Sequence, residues 1–180
     1  MTFDTYGTCY EYLETPDTIP IVLVHGVGLD QHIWEAMLGD IKGRSTLTYD
    51  LLGHGETAES LGAQSFQPFV TQLHGLLRGL GIMEMILAGF SLGGQVAKHF
   101  ASAHPELVRG LVLISTTYQR TAGEKAAMSS RLRQAKNGDQ QALEASALQR
   151  WFNPEFLTAN PAVERQITSR LRNNDSVKFL

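Results

Sequence analysis

A single cysteine, Cys9, stands in 180 residues. It leaves no internal disulfide and no cysteine-based metal cluster. Histidines are few and scattered, and no H-E-x-x-H pair exists to hold zinc on one helix face. His99 and His104 sit five apart around an expected helix end and read as surface residues. Strong charge is also lacking. A formal net charge of −3 gives no electrostatic case for nucleic acid or an anionic membrane surface. No apolar stretch approaches the roughly 18 residues a membrane span needs. Residues 1–14 carry Asp4, Glu11 and Glu14 and no apolar run, so a signal peptide is not expected and the expected location is the cytoplasm. No G-x-G-x-x-G follows a strand and no G-x-x-x-x-G-K-[ST] occurs, which sets nucleotide binding aside.

What is present is a chain that is 43% hydrophobic, enough for a sizeable core. Its most informative stretch is Met85 to Val96. An apolar run, Ile86 to Ala88, leads into Gly89-Phe90-Ser91-Leu92-Gly93, and a helix-like pattern begins at once. That reads as strand, sharp turn and helix with a serine at the tip. Such a turn exposes the serine oxygen above the strand end. It also brings the next backbone N–H, that of Leu92, to where an oxyanion would form. Random placement would put a G-x-S-x-G into roughly one chain in ten of this ordinary composition. Context therefore has to carry the reading.

The context is a repeated alternation. Thr8–Leu13 reads as a strand with Tyr10 and Tyr12 on one face. Ile19 to Val24 is apolar without alternation, as in a strand covered on both faces. It runs into His25-Gly26-Val27-Gly28, whose glycines leave the Val27 N–H accessible as a second oxyanion donor. Asp30 can cap a short helix to Leu38. Ser45–Tyr49 is a further strand, followed by the loop Asp50–Thr57. Phe66–Leu80 has helical spacing and Gly81 stops it. Leu111–Ile114 is one more strand of the buried type. Strands alternating with helices predict an α/β, doubly wound, mostly parallel sheet. In such sheets ligands bind beyond the carboxyl ends of the strands. His25, Asp50, Ser91 and Ser115 all fall there, so four loops are expected to share one edge. Trp34 and Phe90 read first as packing residues, and Phe90 can also wall a pocket.

From Thr121 strand signals stop. Helices are expected over 126–136, 140–151 and 162–171, separated by Asn137-Gly138, Asn153-Pro154 and Asn160-Pro161. The division falls near Tyr118, giving 1–118 and 119–180 as two parts.

V-L-V-H-G-V-G, D-L-L-G-H-G-E-T and A-G-F-S-L-G-G-Q-V-A, in this order, resemble the α/β-hydrolase fold. The nearest flavour is the branch of 3-oxoadipate enol-lactonase-like proteins, small esterases and C–C hydrolases. The resemblance is strong over Thr8 to Ser115, and Arg150-Trp151-Phe152-Asn153-Pro154 resembles a cap segment. It implies Ser91 as nucleophile, Leu92 and Val27 as oxyanion N–H donors, and a helical cap from Thr121. It implies structural or pocket-lining roles for His25 and His54. His25, Gly26, Gly28, Phe90 and Trp151 are the expected substrate-binding residues. The implied reaction is hydrolysis of a small ester, lactone or C–C bonded carbonyl, with no cofactor and no metal.

The family places its acid and histidine on loops after the cap. Here the last histidine is His104, and Ser115-Thr116-Thr117 offers no carboxylate where some relatives carry the acid. Three readings follow: an N-terminal piece of a hydrolase ending inside the cap, a binding or scaffold protein without catalysis, or recruitment of His25 or His54 as base. In the complete family fold two later strands cover Leu111–Ile114. Without them this edge is open and invites self-association.

Overall fold

The computed structural model describes residues 1–57 and 65–173. The chain divides into two compact units, Met1–Thr117 and Tyr118–Leu180.

The first unit is a six-stranded sheet. Its strands are β1 (Thr2–Phe3), β2 (Cys9–Leu13), β3 (Ile21–Val24), β4 (Thr46–Tyr49), β5 (Met85–Phe90) and β6 (Val108–Ile114), ordered β1-β2-β4-β3-β5-β6. β4, β3, β5 and β6 run parallel, while β1 and β2 are antiparallel to their neighbours. The sheet is thus mixed, with a parallel centre. β3 and β4 carry side chains apolar or β-branched at every position because both their faces are covered.

The period of two sorts those side chains. Val22, Val24, Leu47, Tyr49, Met85 and Leu87 point to one face. There they pack with helices α2 (Gln67–Gly79) and α3 (Leu92–Ala103) through Val70, Leu73, Leu76, Leu77, Val96 and Phe100. Leu23 and Ala88 point the other way, toward Trp34, Ile33, Met37 and Leu38. These belong to a 3₁₀ turn, Gln31–Trp34, and to α1 (Glu35–Leu38). Asp30 starts that segment by accepting from the His32 N–H. Burying each such side chain contributes roughly 1.5–3 kcal/mol, so the larger α2–α3 face supplies most of the core energy.

Leu80 caps the C-terminus of α2, followed by Gly81 at φ 69°, and the Ile82 N–H donates back to the Leu77 carbonyl. Only a left-handed residue closes that turn, which is why glycine stands there. β6 extends three residues further back than the apolar run 111–114 suggests, because its pairing with β5 starts at Met85–Val108. The run also reads as a buried strand, yet Leu111, Val112 and Leu113 are 41–46% exposed. β6 lies at the edge of the sheet, so its residues are covered on fewer sides.

The second unit is helical: α4 (Ala122–Lys136), α5 (Gln140–Trp151), α6 (Pro154–Ala159) and α7 (Pro161–Asn173). Asp139 and Asn153 cap α5 and α6 through their side chains, and Pro154 and Pro161 begin α6 and α7. Buried Glu144 on α5 takes Arg172 of α7 on both oxygens at 3.0 Å. α6 is absent from the sequence-based expectation. At six residues it is too short to show a period, and its two bounding Asn-Pro pairs read as breaks although each starts a helix. Among the described residues no helix is long and apolar enough to cross a membrane.

Candidate active site

The register brings the informative strand ends together. Val24 lies beside both Tyr49 and Gly89, and Phe90 beside Ile114. His25, Asp50, Ser91 and Ser115 therefore leave the sheet along one edge.

Ser91 is the residue between β5 and α3. It holds φ 53° and ψ −109°, a left-handed backbone that a non-glycine residue adopts only under constraint. It occupies the N-cap position of α3, yet its hydroxyl caps nothing and has no hydrogen-bond partner among the described residues. The oxygen is thus left out of the helix. Its backbone is gripped instead: the N–H donates to the Ile114 carbonyl at 2.9 Å, and the carbonyl accepts from Gln95 N–H and the Thr116 hydroxyl.

The flanking glycines are required by backbone packing, not by their dihedral angles. A Cβ on Gly89 would strike the Gly93 carbonyl and come within 2.7 Å of the Gly94 nitrogen. A Cβ on Gly93 would strike the Val24 carbonyl and lie 2.5 Å from that of His25. The first turn of α3 thus rests directly on the end of β3.

After β3, the Leu29 N–H donates to the Gly26 carbonyl at 3.3 Å and Gly28 has φ 72°. This is a β-turn with a left-handed third residue, where glycine is favoured. Val27 is 45% exposed at the tip, and its N–H finds no acceptor among the described residues. Leu92, as the first residue of α3, likewise has an N–H with no acceptor inside the helix. A Cβ on Gly26 would lie 3.0 Å from the Phe90 ring and 3.4 Å from the Ser91 Cβ, so this turn abuts the serine. Phe90 is half-buried and packs on the Leu23–Trp34–Ala88 cluster.

His25 does not line a pocket, contrary to expectation. It is fully buried, and both ring nitrogens hold backbone. Nε2 accepts from the Leu51 N–H at 3.0 Å, which puts the proton on Nδ1, and Nδ1 donates to the Gly26 carbonyl at 2.8 Å. Burial lowers its pKa to about 4, against the opposing bond to Gly26, so the ring is neutral. His54 is buried beside it, with ring centroids 5.1 Å apart. Burial and then the neighbouring His25 lower its pKa to about 3. A neutral ring with both nitrogens engaged cannot accept a serine proton, so His25 is excluded as an improvised base.

Asp50 organises the loop after β4. Its carboxylate accepts from the Gln31 N–H at 2.7 Å and the Glu56 N–H at 2.9 Å. Gly55, at φ 51°, has no room for a Cβ against that carboxylate. The Asp50 carbonyl accepts from the Thr57 hydroxyl and from Gln72 on α2. Burial raises the Asp50 pKa, while the two backbone donors oppose that rise. Asp50→Asn keeps one acceptor but turns an NH₂ toward the other N–H. The expected loss is about 2 kcal/mol, read as a lower urea midpoint at unchanged slope. An unchanged midpoint would show that the carboxylate does not organise the loop.

Trp151, the last residue of α5 in the second unit, is half-buried. Two clefts of the first unit lie away from Ser91. One, of about 370 Å³, is lined by Glu14, Thr18, Pro20 and Ile82 at the opposite ends of the strands. The other, of about 470 Å³, lies between Tyr6, Tyr10, Gly75 and Arg78.

Parallel strands that end together beneath a strained strand-to-helix serine have the architecture of an α/β hydrolase. A sequence model of the family described as alpha/beta hydrolase fold matches residues 19–170, and the chain belongs to that family. It is 28% identical over 142 residues to an (E)-2-((N-methylformamido)methylene)succinate hydrolase of Acinetobacter baylyi, covering 78% of this chain and 53% of that protein. It is 35% identical over 108 residues to a (lyso)-N-acylphosphatidylethanolamine lipase of Homo sapiens, covering 56% of this chain and 31% of that one. The crystal structure of the enol-lactonase from Burkholderia xenovorans LB400 superposes with a TM-score of 0.87 at 23% identity, covering 96% of this chain and 66% of that one. The chain thus spans about half or less of the length of these two curated relatives.

Proposed function

We propose that Ser91 is the nucleophile of a hydrolase acting on a small ester, lactone or C–C bonded carbonyl. The observation that carries this reading is the backbone of Ser91. Its left-handed φ of 53°, with the hydroxyl withheld from the helix cap, holds the oxygen outward at the edge where the strands end. The hydroxyl oxygen attacks the carbonyl carbon and its proton passes to a base. The oxyanion is received by the N–H groups of Leu92 and Val27, each typically worth about 3 kcal/mol of barrier. Collapse of the tetrahedral species expels the leaving group, and water then releases the acid. Residues 1–118 act as the core, whose Gly26, Gly28 and Phe90 bind substrate, and residues 119–180 correspond to the helical cap segment of the family. In this reading the base and its acid lie on a segment following the cap, where the family resemblance places them. Relatives named as a hydrolase, a lipase and an enol-lactonase fit the reaction class.

A second reading is a binding protein with no turnover. One observation favours it: among the described residues no histidine is hydrogen-bonded to the Ser91 hydroxyl. An activated p-nitrophenyl ester separates the two. With the segment following the cap present, a stoichiometric burst of nitrophenolate, abolished in Ser91→Ala, is the expected result. Saturable quenching of tryptophan fluorescence by the ester without any burst would replace the nucleophile reading with the binding one.

A further inference from the structure

Thr116 lies just beyond β6, in the stretch Ser115-Thr116-Thr117, which carries no charged side chain. Its hydroxyl donates to the Ser91 carbonyl at 2.8 Å and accepts from the Gln95 side-chain amide at 2.7 Å. The second bond sets the direction of the first, because the amide occupies a lone pair and leaves the Thr116 proton for the carbonyl. Gln95 is held in turn, since its amide also donates to the Thr117 carbonyl at 2.7 Å, where Lys98 donates as well at 2.8 Å. Thr116 also explains a glycine that lies outside the G-x-S-x-G pattern. A Cβ on Gly94 would come within 2.5 Å of the Thr116 Cβ and 2.8 Å of its hydroxyl oxygen. The Thr116 side chain fills the space that any larger residue at 94 would need.

We infer that Thr116 is a positioning residue that aims the Leu92 N–H, an inference that rests on the nucleophile reading of Ser91. The reason is the planarity of the peptide bond. In a trans peptide the C=O of one residue and the N–H of the next point in opposite directions within one plane. Fixing the Ser91 carbonyl therefore fixes the Leu92 N–H. Two donors fix that carbonyl, Thr116 from the side and Gln95 N–H at 3.3 Å from within the helix. They also polarise the peptide, which strengthens its N–H as a donor. The Val27 N–H is held by the same logic, its partner carbonyl on Gly26 accepting from His25 Nδ1 and from the Leu29 N–H. Each oxyanion donor is thus paired across its peptide plane with a side-chain bond.

The test compares Thr116→Val, which keeps the shape and loses the hydroxyl, with Thr116→Ser, which keeps the hydroxyl. Two readouts are taken on the full-length protein, with the segment that follows the cap present. The first is acylation of Ser91 by a fluorophosphonate, resolved into maximal rate and half-saturating concentration. Thr116→Val is expected to be roughly tenfold slower at saturation with unchanged half-saturation, and Thr116→Ser is expected to recover the rate. The second is the ¹⁵N shift of the Leu92 amide, which responds to hydrogen bonding at the preceding carbonyl. It is expected to move in the valine variant and return in the serine variant. A Leu92 shift that ignores Thr116→Val overturns the inference, as does a moved shift with wild-type acylation. A chain whose Ser91 is never acylated sinks the nucleophile reading, and with it the aiming role; the Leu92 shift then reports only the bond.

Discussion

Gly93→Ala is expected to destabilise the chain by about 4 kcal/mol, at the severe end of single substitutions. The new Cβ would fall on the Val24 carbonyl and within 2.6 Å of its carbon. These are backbone atoms at the end of a buried strand, so no rotamer change makes room. Relief requires α3 to lift off β3, which would separate Val96, Ala97 and Phe100 from Val22 and Val24. For a chain of this size the loss corresponds to a melting temperature lower by roughly 8–16 °C. Gly79→Ala is the matched control, because an added Cβ there meets nothing within 4 Å and the residue lies in α2. It is expected to be neutral or to stabilise by about 0.5 kcal/mol. Parallel thermal melts decide the matter: a Gly93→Ala loss under about 1 kcal/mol would mean that the β3–α3 contact can open cheaply.

The second large effect is on acid stability. His25 and His54 are buried and neutral, with pKa values lowered to about 4 and about 3 from the usual 6.5. Between pH 6.5 and 4 the unfolded chain binds protons that the folded chain refuses, so stability falls as pH falls. The contribution of the pair is fully present above 6.5. At pH 5 each histidine is expected to have withdrawn on the order of 2 kcal/mol, and the two about 4 kcal/mol. Asp50 acts with the opposite sign. Its raised pKa means that the folded chain holds the extra proton between the ordinary 3.8 and the raised value, so acid favours the fold there and offsets part of the loss. Urea unfolding at pH 7.5 and pH 5 measures the difference. His54→Gln is expected to remove about half of it, and a wild-type drop below about 1 kcal/mol would show that the histidines charge without unfolding.

Much of the framework is legible in the sequence. Ile21–Val24 reads as a doubly covered strand because its residues are apolar at every position, and that pattern is local. Ser91 reads as a serine on a strand-to-helix turn because an apolar run, two glycines and a helical period meet there. The strand and helix pattern also placed His25, Asp50, Ser91 and Ser115 at strand ends, and the register aligns those ends. Elements too short to show a period escaped, namely β1 at two residues and α6 at six.

What a side chain touches belongs to a different level. By sequence His25 is a candidate pocket residue; in the fold its two nitrogens are consumed by Gly26 and Leu51, the second of them 26 positions away. By sequence Thr116 is only one of three residues that lack a carboxylate; in the fold it grips Ser91, 25 positions earlier. Gly94 looks like a spare glycine in a helix until Thr116 fills the space beside it. The sequence by itself determined where the longer strands and helices lie and which serine sits on the sharp turn, because hydrophobic period and turn chemistry act between near neighbours. Only the tertiary structure decided which polar groups serve the backbone, because hydrogen-bond partners are chosen by strand register and close packing between distant segments.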